Sequence, residues 1–181
     1  MKYFSSTASE IQNFSKGVLV EKHDVEKRAS AASLDVFLSH SSSDKDSLPK
    51  VIGFLEQYDV NVYVDKVDKE LPQKTSAETG VKLKERIAQC RKFVVLVTTN
   101  SKNSRWIPWE LGIADEKKTI ANVALLPDVQ NESNAEWSER EYLGLYPRIV
   151  YATFTGRANP VWMVSNHHEK TGIPLKDWLK S

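Results

Sequence analysis

With 181 residues and 25 Lys and Arg against 24 Asp and Glu, the chain has room for one ordinary core, and its net charge of +1 supplies no global field to hold nucleic acid or an anionic membrane. The longest apolar runs, such as Phe93 to Val97, fall well short of the ~20 residues a membrane helix needs, and the first residues lack the basic-then-apolar order of a secretory signal. A single cysteine, Cys90, allows no internal disulfide, so a reducing cytoplasm is the expected setting, with neither nucleic acid nor membrane as a partner.

Residues 1–33 are polar and end in the small-residue run Arg28 to Ser33, which reads as a helical arm and linker ahead of one domain, residues 34–181. LDVFLSH, from Leu34, is a β-branched and aromatic strand; SDKDSLPKVIGFLEQY then sets Leu48, Val51, Ile52 and Leu55 at helical spacing. Val60 to Asp65 gives a second strand. Thr75 followed by Glu78 has the spacing of a capping box and starts a helix near Ser76. KFVVLVTT, from Lys92, shows no alternation, as expected of a strand buried on both faces. A helix beginning near Ile107 or Pro108 follows, then strands in TIANVALLP and PRIVYA, and a closing helix in GIPLKDWLKS with Leu175, Trp178 and Leu179 turned inward.

Five strands separated by helical segments imply an α/β fold, a doubly wound and mainly parallel sheet in the order 2-1-3-4-5 with helices on both faces. Such a sheet binds ligands beyond the carboxyl ends of its strands, where the order reverses between strands one and three. The loops meeting there are Ser39 to Asp44 and Thr98 to Glu110. Glu110 therefore lies at the expected site.

On composition alone, Glu110 is either a carboxylate favoured by the positive end of a helix, worth ~0.3–1 kcal/mol, or a functional acid. A capping box would need Ser or Thr at position 107, which holds Ile107. If the helix reaches back to Trp106, that indole and Glu110 share a face continued by Ile113 and Ala114. Ordinary glycoside cleavage takes two carboxyl groups. Nicotinamide leaves NAD+ as a neutral base, so one carboxylate can stabilise the developing sugar cation while an indole such as Trp106 stacks on the pyridinium.

The combination of DVFLSHSSSDKD, VNVYVD, KFVVLVTTNS and RWIPWELG resembles the Toll/interleukin receptor (TIR) domain, specifically the stand-alone bacterial type of anti-phage defence, over Leu34 to Tyr151. The later EYLGLYP is similar to the same group. The resemblance implies the five-stranded flavodoxin-like sheet and NAD+ cleavage to nicotinamide and ADP-ribose or a cyclic isomer. Glu110 then stands at the catalytic position of a W-x-x-x-E element, with Trp106 at its head. It further implies NAD+ as substrate and no separate cofactor, self-association through TIR domains, and a downstream effector reached by a cyclic nucleotide product. Ser39, His40 and Ser41 match the pocket-lining loop after the first strand, though His40 equally suits a turn cap. Asp65 matches the acid closing the second strand, where a helix or turn cap is the alternative.

The sequence departs from the family in two places. The basic residue that some animal enzymes carry in the first loop is replaced by Ser41 and Ser42, and the segment Lys66 to Lys74, in the place of a mobile lid, is long and lacks the early glycine. That segment is a lid, an assembly contact or a solvated surface. Trp109 and Trp137 read as packing residues. His167 and His168 are adjacent and lack the spacing that completes a metal site. No glycine elbow surrounds a serine, and nothing near Cys90 activates it. A non-catalytic TIR interaction module and a deoxyribosyltransferase-like enzyme are the competing readings.

Overall fold

The computed structural model describes Phe4 and residues 34–65, 76–128 and 141–181. The expected arm and linker, apart from Phe4, lie outside the described residues. So do Lys66 to Lys74, Thr75 and Trp137. Among the described residues, no helix is long and apolar enough to cross a membrane.

Five parallel strands follow the expected order: β1 (Val36–Ser39), β2 (Val62–Tyr63), β3 (Lys92–Val97), β4 (Val123–Pro127) and β5 (Arg148–Ala152). The sheet does not stop there. β6 (Val161–Asn166) and β7 (Thr171–Pro174) add an antiparallel extension, so the full order is β2-β1-β3-β4-β5-β6-β7 and the strand count is seven, not five. Two tight turns make the extension possible. Gly156 takes the left-handed backbone (φ 82°) between β5 and β6, and Lys170 does so (φ 52°) just before β7. Gly172 to Pro174 thus belong to β7, and the closing helix is confined to α4 (Leu175–Lys180).

Alternation along the parallel strands divides the core into two layers. Val36, Leu38, Val94, Leu96, Ala124 and Leu126 face α1 (Leu48–Glu56) and α4; Phe37, Phe93, Val95, Val97, Val123 and Leu125 face α2 (Ala77–Gln89) and α3 (Trp106–Lys118). Burial of both faces explains why β3 carries no polar alternation. Leu175, Trp178 and Leu179 are buried as expected, and Trp178 Nε1 donates to the Ala121 carbonyl at 2.7 Å. Phe4, fully buried, packs on Phe54 with ring centroids 5.1 Å apart and pairs with Asp128 at the end of β4.

The helix starts match the sequence expectation in part. The α2 start falls where expected, with Ser76 as the cap; the expected box partner Thr75 lies outside the described residues, and among those described Thr79 N–H donates to Ser76 Oγ at 3.4 Å and Ser76 N–H to Thr79 Oγ1 at 3.2 Å. A hydroxyl at the third helical position reaches back as a longer carboxylate would. α3 begins at Trp106, one to two residues early. Ser104 Oγ accepts the Ile107 N–H at 3.2 Å, and Pro108 lies third, where its missing N–H would have had no helical partner anyway.

Candidate active site

The early start of α3 decides where Glu110 points. From Trp106 onward the buried residues are Ile107, Glu110, Leu111, Ala114 and Lys118, a stripe lying against the sheet. Ile113, expected on that face, is only partly buried, and Trp106 is half-buried at the helix start. Glu110 is 3% exposed, and its Oε2 accepts the hydroxyl of Ser39, the last residue of β1, at 2.5 Å. Burial pushes the Glu110 carboxyl up from 4.5 to about 7; the Ser39 hydrogen bond holds it back, and the charge of Asp65 adds a smaller upward push. A carboxylic acid at this value exchanges its proton near neutral pH.

Above Glu110 lies a cavity of about 340 Å³ at the crevice between the carboxyl ends of β1 and β3. The loop after β1 contributes His40, Ser41, Ser42 and Ser43; Asp65 closes one side beyond β2. The loop after β3 contributes Asn100, Asn103 and Ser104, and the head of α3 contributes Arg105, Trp106 and Glu110. Five of the six expected site residues therefore line one space: His40, Ser41, Asp65, Trp106 and Glu110. Ser39 stands beneath them, fully buried, with its hydroxyl engaged by Glu110 rather than turned to the cavity.

His40 Nδ1 lies 3.3 Å from the Leu38 carbonyl, which can only accept, and 3.8 Å from Asp65 Oδ1. The ring therefore links the end of β1 to the acid beyond β2. Trp106 meets Trp109 edge to face, with centroids 5.3 Å apart and planes at 82°. Trp109 is 37% exposed, lies against Gly80 of α2 and carries the Lys84 ammonium 5.9 Å from its ring, so it stands partly open at the α2–α3 contact. Beyond Trp106 opens a wider apolar groove of about 610 Å³, walled by Ala77, Gly80 and Val81 of α2 and by Trp109.

Asp44 ends the expected loop but is not among the expected site residues. It is 3% exposed and its carboxylate is fully used: Oδ2 accepts the Ser41 N–H at 3.0 Å, and Oδ1 accepts Thr98 Oγ1 at 2.9 Å and Asn100 Nδ2 at 2.8 Å. One buried acid thus ties the loop after β1 to the loop after β3. Its only advance signal is an acid three residues past Ser41, the spacing of a side-chain-to-backbone turn. Cys90, by contrast, is buried at the end of α2 and its thiol is pushed up to about 12 by burial, the reverse of an activated nucleophile.

Comparison with known proteins bears on this geometry. The family model described as TIR domain matches residues 36–160. Over 149 residues, 81% of this chain and 75% of the relative, the chain is 34% identical to ThsB' of Bacillus cereus (strain MSX-D12), which is named as a probable 3' cyclic ADP-D-ribose synthase. Over 104 residues it is 33% identical to TIR2 of Cytobacillus dafuensis, a cyclic ADP-D-ribose synthase by provisional name; that match takes in 55% of this chain and 27% of the relative.

Proposed function

The chain belongs to the TIR domain family, and we propose that it breaks the nicotinamide–ribose bond of NAD+ and closes the remaining ADP-ribose into a cyclic isomer, with hydrolysis to ADP-ribose as the competing outcome. The observation that carries this reading is a single buried carboxylate, Glu110, anchored by Ser39 at the floor of a cavity whose wall is an indole. The names of both relatives support cyclisation.

In the proposed reaction the C1'–N bond of the nicotinamide riboside breaks, and its electron pair passes to the ring nitrogen, giving neutral nicotinamide. No general acid is required. Positive charge builds on the ribose, and the Glu110 carboxylate stabilises it through the dry floor of the cavity, where charge interactions are stronger than in water. Trp106 stacks on the departing ring, favouring it while it is still a pyridinium. A nucleophile of the adenosine half, or water, then takes the vacant C1' position and loses its proton. Glu110, held near neutral pKa by burial, is suited to receive that proton.

The setting proposed for this activity is bacterial immune signalling in the cytoplasm, with the cyclic product passing to an effector protein. Assembly through TIR domains belongs to the same proposal. The apolar groove beyond Trp106, with Val81 and Trp109 exposed, is a surface that assembly would cover, and turnover per subunit then rises with concentration. The same groove is what favours the second reading, a TIR interaction module without catalysis. Chromatography of NAD+ incubated with concentrated protein separates the two. Nicotinamide together with a cyclic ADP-ribose isomer supports the enzyme, and unchanged NAD+ supports the module.

A further inference from the structure

NAD+ brings two kinds of charge to one cavity. Its pyridinium end is cationic and suits a floor made by Glu110 with Asp65 at its side; its diphosphate is anionic and is repelled by the same groups. The part of the loop after β1 that lines the cavity brings no Lys or Arg, since Ser41, Ser42 and Ser43 are neutral donors and Lys45 lies outside the lining. Among the described residues that line the cavity, the sole Lys or Arg is Arg105.

We propose that Arg105 binds the diphosphate of the dinucleotide, a reading that rests on NAD+ being the substrate. Arg105 precedes the first residue of α3, and its backbone is already helical (φ −83°, ψ −25°). It therefore stands five residues, roughly 7.5 Å of helix, before Glu110. Glu110 is sunk at the floor and Arg105 is exposed at the rim, so a dinucleotide entering with its nicotinamide riboside first carries its diphosphate past the guanidinium.

Among the described residues Arg105 forms no ion pair, whereas Arg91 is engaged by Asp35 at 2.7 Å. A planar guanidinium presents paired N–H donors matched to phosphate oxygens. Ser43, Asn103 and Ser104, which line the cavity nearby, supply further neutral donors. Arg105 also borders the apolar groove beyond Trp106, so it marks the passage between the two spaces.

The test is steady-state turnover of NAD+ by wild type, Arg105→Ala and Arg105→Lys, with product inhibition by ADP-ribose and by nicotinamide measured on each. ADP-ribose carries the diphosphate; nicotinamide does not. Arg105→Ala is expected to raise KM for NAD+ by roughly tenfold or more, as removal of a charge-assisted hydrogen bond does, with kcat kept within about twofold. Inhibition by ADP-ribose weakens by a similar factor, inhibition by nicotinamide stays as in wild type, and Arg105→Lys recovers part of the loss. An unchanged KM, a loss confined to kcat, or equal weakening by both inhibitors overturns the assignment while leaving the NAD+ reading intact. Failure of wild type itself to release nicotinamide overturns both.

Discussion

Ser39 Oγ and Glu110 Oε2 meet at 2.5 Å across 71 residues of chain, joining the last residue of β1 to the second turn of α3. The bond fixes which way the buried carboxylate faces and favours its charged form. Ser39→Ala should lower kcat by about tenfold, the usual worth of a hydrogen bond to a charged group, and should move the acid limb of activity upward because the one influence holding the Glu110 pKa down is gone. Ser39→Thr, which keeps the hydroxyl, should restore part of both. A kcat loss with no movement of the acid limb would mean that Ser39 acts only through packing.

The pKa of Glu110 predicts the pH dependence directly. Its charged form stabilises the ribose cation, so kcat/KM for NAD+ should fall as pH drops through about 7. Asp65 pushes that value up by its charge, and His40 lies within 3.8 Å of Asp65. Asp65→Asn should therefore shift the acid limb downward, read as the midpoint of kcat/KM against pH. A midpoint near the ordinary carboxyl value of 4.5 in wild type would contradict the burial argument.

The same carboxylate should cost stability. Between about 4.5 and about 7 the folded chain holds a proton on Glu110 that the unfolded chain has released, so its contribution to stability falls as pH rises through that window and is constant above it. Glu110→Gln removes the penalty and should stabilise the fold above pH 7 by about 1–3 kcal/mol, with no gain below pH 4.5. Denaturant unfolding of both proteins at pH 4 and pH 8 measures the difference. A destabilised variant at pH 8 would show that the charged group is favourably held.

Asp44 should behave as a structural tie between the two loops of the crevice. Asp44→Ala strands the buried Ser41 N–H and frees the half-buried Thr98 hydroxyl and the exposed Asn100 amide, and should cost about 1–3 kcal/mol in urea unfolding. Asp44→Asn keeps one acceptor and should cost less. Equal stability of wild type and Asp44→Ala would mean that water replaces the carboxylate without loss.

How much of this was legible in the sequence depends on the range of the interaction. The parallel strands and their order followed from β-branched runs set between helical stripes, and the crevice between β1 and β3 followed from that order. The β6–β7 extension is less legible because Val161–Asn166 and Thr171–Pro174 are short and partly exposed, so neither carries the continuous buried apolar run that marks β3. Helix ends were only partly legible: the α2 start near Ser76 was expected, but the Ser76–Thr79 box that caps it was not read from the spacing, and α3 begins at Trp106, ahead of Ile107 or Pro108. Glu110 was marked by its odd position beside Trp106. Its partner Ser39, 71 residues away, could be placed at the crevice but not beneath the acid, because that requires knowing that α3 begins at Trp106 and buries Glu110 against the end of β1.

The most direct measurement is nicotinamide release from NAD+ by concentrated wild-type protein beside Glu110→Gln and Glu110→Ala, each shown to be folded. Wild type should release nicotinamide steadily, and kcat should fall by at least about a hundredfold in both variants, since the lost interaction acts on the transition state. Release by either variant at the wild-type rate would contradict the role given to Glu110.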